Sequence, residues 1–127
     1  MPSRNYRADV LKDIGIGTDA SFAGAASGRG VLVNAIDTAT VVDTFPKATY
    51  RTAFYWIQII HGTDFHSLCA TVVHTGTDAH ITIYGEVWTN TVLGEITADV
   101  NGANVELTLD PVSTSTSIRI MRTCMTA

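Results

Sequence analysis

The chain has 127 residues, enough for one compact domain with a core of useful size. Its 8 Lys+Arg against 12 Asp+Glu give a formal net charge of −4, which excludes the basic footprint of a nucleic-acid binder. With 46% hydrophobic and 16% charged residues it is not a disordered chain, and no apolar run approaches the ~20 residues of a membrane-spanning helix.

Residues 1–30 read as a flexible or extended N-terminal arm. Gly15-Ile16-Gly17-Thr18-Asp19 and the run from Gly24 to Gly30 are small and lack the dense apolar alternation of a packed strand. Two readings of the arm stand open: a disordered terminus, or a segment that orders on a neighbouring subunit through Tyr6, Leu11, Ile14 and Phe22. The opening Met1-Pro2-Ser3-Arg4 has no apolar stretch of the signal-peptide kind.

From Val31 to Ala127 the pattern is strands and turns. Val31–Ile36 and Thr40–Thr44 are short strands, the second ended by Pro46. Thr49–His61 is long, and Gly62-Thr63-Asp64 turns it into Phe65–His74. A second turn, Gly76-Thr77-Asp78, leads to His80–Trp88. Leu93–Val100 and Asn104–Leu109 are joined by Asn101-Gly102, a strong hairpin signal, and Thr116–Met125 closes the chain. About eight strands with turn chemistry between them, β-branched residues throughout and no 3.6-residue period predict an all-β fold. The expected architecture is an antiparallel, jelly-roll-like β-sandwich over residues 31–127.

The block from Asp43 to Arg122 resembles a β-rich module of virion structural proteins from tailed bacteriophages, especially those that infect cyanobacteria. The resemblance rests on Thr49-Tyr50-Arg51-Thr52-Ala53, Val73-His74-Thr75-Gly76-Thr77, Ile83-Tyr84-Gly85-Glu86-Val87, Leu93-Gly94, Ala98-Asp99-Val100 and Val105-Glu106-Leu107. It implies a virion β-sandwich with no catalytic residues and no cofactor.

Four histidines, His61, His66, His74 and His80, invite a metal reading. They flank two turns at opposite ends of a strand roughly 30 Å long at ~3.3 Å per residue, so they cannot meet in one subunit. Cys69 lies mid-strand with no cationic neighbour to activate it, and Cys124 sits near the end of the chain; both read as structural thiols, with a Cys69–Cys124 disulfide left open. Glu86, Glu95 and Glu106 fall on three strands and read as solvated, although paired carboxylates near Tyr84 and Trp88 would suit a glycosidase.

The aromatic strand is the most informative feature. Tyr50, Phe54 and Trp56 fall on one face and Tyr55 on the other. One face can fill the core, which leaves Tyr55 and its neighbours for a subunit interface. The alternative is a strand buried on both faces.

These readings lead to a non-enzymatic virion protein with no metal. A capsid decoration or cement protein is expected first, and a neck, tail or fibre-attachment protein second. A carbohydrate-binding module that uses Trp56, Trp88 and Tyr84 is the reading from another class. The expected partners are copies of the same chain, with a trimer favoured, and the major capsid protein or another virion protein. Neither nucleic acid nor membrane is expected. Tyr6, Leu11, Ile14, Phe22, Tyr50, Tyr55 and Trp56 are the interface candidates.

Overall fold

A computed structural model describes residues 20–127. Its nine strands are β1 (Ala20–Phe22), β2 (Ala26–Ile36), β3 (Thr40–Pro46), β4 (Tyr50–His61), β5 (Asp64–His74), β6 (Ala79–Trp88), β7 (Gly94–Asn101), β8 (Asn104–Pro111) and β9 (Thr116–Thr126). They form two antiparallel sheets, one in the order β1-β2-β9-β4-β5-β6 and one in the order β3-β8-β7. The expected antiparallel β-sandwich is therefore present.

Tight hairpins set the register. Residues Gly62 and Thr63 link β4 to β5, and Gly102 and Ala103 link β7 to β8; each loop begins with a glycine at φ 60°. A glycine in the first loop position gives the primed turn whose twist matches the flanking strands. The second hairpin thus falls one residue later than the Asn-Gly pair suggests.

The core lies between the sheets. Ala53, Tyr55, Ile57 and Ile59 of β4 face inward with Leu68, Ala70 and Val72 of β5 and Ile118, Ile120 and Cys124 of β9. Phe45, Val105, Leu107 and Leu109 close over them from the smaller sheet. Each such large side chain contributes roughly 1.5–3 kcal/mol when fully buried.

The boundary expected at residue 30 shifts. β1 and the first part of β2 precede Val31 and are already paired, with Ser27 opposite Cys124 and Gly30 opposite Met121. Glycine weakens strand propensity, so this stretch does not look like a strand in isolation. The open edge of β9 supplies ladder partners, and the Phe22 ring lies over Gly28, within 3.2 Å of where a Cβ would stand. An aromatic ring laid over a strand glycine covers backbone that has no side chain of its own. Tyr6, Leu11 and Ile14 lie outside the described residues.

The face assignment of β4 also reverses. Tyr55 is 1% exposed and fills the core, so it is not available to a partner, whereas Phe54 and Trp56 point outward. Tyr50 is half-buried and packs against the core.

Candidate functional site

Asp43 would point to solvent if β3 alternated strictly, because Val42 beside it is buried. A bulge between Val41 and Asp43 sets two residues against one step of β8 and turns both inward. The Asp43 carboxylate then meets Arg122 Nη1 at 2.9 and 3.2 Å, and Tyr55 Oη donates to its Oδ2 at 2.9 Å. Arg122 Nη1 also donates to the Thr44 carbonyl at 3.0 Å. Burial works against the guanidinium charge, but the Asp43 carboxylate, with Cys124 and Tyr55 beside it, outweighs that effect and holds Arg122 above its usual value. This buried cluster joins the two sheets.

His66 and His74 are likewise committed. Leu93 N–H donates to His66 Nδ1 at 3.2 Å, so the ring proton resides on Nε2 and is donated to Glu86 Oε2 at 2.7 Å. Glu86 reaches this position because Gly85, at φ 62°, forms a bulge opposite the Ser67–Cys69 step and flips the alternation of β6. Gly76 N–H donates to His74 Nδ1 at 3.0 Å, and Nε2–H donates to the Tyr50 carbonyl at 2.7 Å. Both imidazoles thus tie loops to strands. Among the described residues, no group of three or more His, Cys, Asp or Glu side chains could hold a metal ion.

The remaining candidates scatter. Cys69 and Cys124 form no disulfide and lie on opposite faces of the larger sheet, and Cys124 is buried. Glu95 and Glu106 lie on the smaller sheet; Glu95 stands opposite Asp110 and Glu106 opposite Asp99, four residues or ~14 Å apart along the strand. The same bulge at Gly85 separates the three residues of the sugar platform. Trp56 and Tyr84 share the outer face, while Trp88 stands opposite inward-facing His66 and meets its ring edge-on at 5.8 Å.

What the fold does assemble is an apolar outer face on the larger sheet. One register row runs Gly30–Met121–Trp56–Cys69–Tyr84 across five strands. Phe54, in the adjoining row with Gly28 and Thr123, adds a further exposed ring, and Phe22 and Met125 extend the apolar surface toward β1. A hollow of about 400 Å³ opens beside Trp56, lined by Gln58, Ser67, Cys69, Gly85, Arg119 and Met121. Of the interface candidates that the sequence suggests within the described residues, Trp56 and Phe22 belong to this face and Tyr50 and Tyr55 do not. Met121, Met125 and Tyr84 belong to it without standing among those candidates. For the two methionines, alternation with inward-facing Ile120 and Cys124 is the signal that marks them as outward.

No protein-family model matches the chain, and no curated protein matches it significantly. Its fold is similar to that of the Acinetobacter phage vB_ApiP_P1 tailspike protein, with a TM-score of 0.53 and 15% identity over 79% of this chain and 22% of the tailspike. Weaker likenesses are to gp49 of Acinetobacter baumannii bacteriophage Fri1, a tailspike described as a capsular polysaccharide depolymerase (TM-score 0.48, 14% identity, 85% of this chain and 19% of that one), and to the Acinetobacter baumannii phage AM24 tailspike (TM-score 0.43, 12% identity, 80% and 25%). The chain thus spans about a fifth of the length of the first of these tailspikes. At such identities the likeness is one of fold.

Proposed function

We propose that this chain is a non-enzymatic structural module of a tailed-phage virion, seated in the tail or its fibres. The observation that carries the reading is the fold likeness to a phage tailspike over 79% of the chain. It agrees with the resemblance of residues 43–122 to virion modules. The likeness supports a tail role and gives capsid decoration no support, so the tail reading takes first place.

A structural role also suits the chemistry. Asp43, His66, His74 and Glu86 are each engaged in bonds that hold sheets and loops together. The sugar-binding alternative is weakened by the loss of Trp88 from the outer face.

Gold-labelled antibody against the recombinant chain, applied to purified particles of a phage that encodes it, tests the proposal. Label on the tail is expected. Label spread over the capsid would return the decoration role to first place, and particles without label would remove the chain from the virion. Release of reducing sugar from host capsular polysaccharide by the recombinant chain would overturn the non-enzymatic part.

A further inference from the structure

The outer face of the larger sheet is more apolar than a solvated sheet face requires. Trp56 is 64% exposed, Met121 59% and Tyr84 47%, and all three stand in one register row. With Phe54, Phe22 and Met125, the exposed side-chain area reaches roughly 600 Å², taking about 150–250 Å² for each large residue. That is the upper end of the largest patch on an ordinary monomer, about 300–600 Å², and patches of that size are often functional. We infer that copies of this chain associate through this face, with Trp56, Met121 and Tyr84 at the centre of the contact. The inference stands apart from the virion reading, since it concerns the isolated chain.

Three observations select a second copy as the occupant. The first is area: a stable interface needs about 800 Å² per partner, a little over half of it apolar, and the roughly 600 Å² of apolar side chain covers that share. The second is charge. Among the described residues of the Trp56 row and the outward rows on either side, Arg119 is the one ionised side chain; the others are Gly, Thr, Ser, Gln, Cys and apolar residues. The acids Glu95, Asp99, Glu106 and Asp110 lie on the other sheet, so two such faces meet with little repulsion. A strongly charged partner would find one counter-charge at most.

The third observation is shape. Each copy presents an exposed indole and, next to it, the hollow of about 400 Å³. Gly85, at φ 62°, lines the hollow, and a Cβ there would meet Cys69 Sγ at 4.0 Å. A large aromatic anchored in a pocket and ringed by polar residues is the usual centre of a protein interface. Gln58, Ser67, Thr71 and Thr123 form such a ring here.

Sedimentation equilibrium of the full recombinant chain over a concentration series tests the inference, paired with the rate of Cys69 modification by a maleimide. Cys69 lies in the central row, while Cys124 is buried and silent. The expected result is an oligomer of two or more copies whose Cys69 reacts slowly. Trp56→Lys should raise its dissociation constant at least tenfold and speed Cys69 labelling by a similar factor. Tyr84→Lys, on a different strand, should do the same if Trp56→Lys fails to fold. A monomer with fast labelling leaves the face open or reserved for another protein, and a monomer with slow labelling means the chain covers its own face; either overturns the inference. So does an oligomer that survives both substitutions. Antibody labelling of particles is unaffected by these outcomes, so the two proposals fail separately.

Discussion

The Tyr55 hydroxyl donates to Asp43 Oδ2 at 2.9 Å, and this bond ties an interior strand of the larger sheet to an edge strand of the smaller one. Arg122, from the neighbouring strand β9, completes the cluster on the same carboxylate. A polar group this deep is stable because each partner satisfies another, and removing one leaves the others exposed to a low-dielectric interior.

Substitution at the two ends of that bond should therefore have unequal effects. Tyr55→Phe keeps the ring and loses one hydrogen bond to a charged acceptor, for a loss of about 1.5–3 kcal/mol. Asp43→Ala strips the counter-charge from buried Arg122 and should cost about 3–5 kcal/mol. Urea denaturation of both variants measures the difference. A Tyr55→Phe chain as stable as the parent would show that the bond does not hold the sheets.

The same tyrosine predicts a response to alkali. Burial, and after it the Asp43 carboxylate, push the Tyr55 phenol far above its ordinary value of 10.0. A folded-state value raised above the unfolded one means that the stabilisation is complete below the unfolded value and lost as pH rises beyond it. Above pH ~10 the unfolded chain ionises this phenol and the folded chain does not, so stability should fall by about 1.4 kcal/mol per pH unit from this group. Denaturation midpoints across this range should fall more steeply for the parent than for Tyr55→Phe. Parallel curves would show that the buried phenol is not the cause.

Gly94 opens β7 where it pairs with Pro111 of β8. A Cβ at that position would stand 2.6 Å from Leu109 Cδ1 and 3.0 Å from the Asp110 carbonyl oxygen. Leu109 is fully buried and the carbonyl is backbone, so neither can move cheaply. Gly94→Ala should destabilise by about 1–3 kcal/mol, read as a lowered melting temperature. Gly28→Ala, which meets the edge of the Phe22 ring at 3.2 Å, should cost less because an exposed ring can swing aside.

Like charges face each other on the smaller sheet, where Glu95 is directly opposite Asp110. Glu95→Lys converts the pair to one of opposite sign and should stabilise the fold by about 0.2–1 kcal/mol. Calorimetry at low and high salt checks both parts, since the gain should shrink as salt screens the pair. No gain at low salt would mean that solvent already screens these carboxylates.

The amino-acid sequence by itself determined the strand-and-turn order from Val31 onward, because period-2 alternation and turn residues are local signals. It also determined that inward positions of β5 carry Leu68, Ala70 and Val72, where the alternation is clean. Tertiary structure decided which face of β4 is buried. Tyr55 and Trp56 are both large and aromatic, and burial went to Tyr55, whose hydroxyl has Asp43 to bond, while Trp56 stayed outside. It decided the inward turns of Asp43 and Glu86, because one extra residue in a bulge reverses every later side chain and strict alternation cannot show it. It decided that glycine-rich Ala26–Gly30 is a strand, since the open edge of β9 supplies the ladder that local propensity does not. The outer row Met121–Trp56–Cys69–Tyr84 arises the same way: its members are distant in sequence, and only the antiparallel register of four strands makes them neighbours.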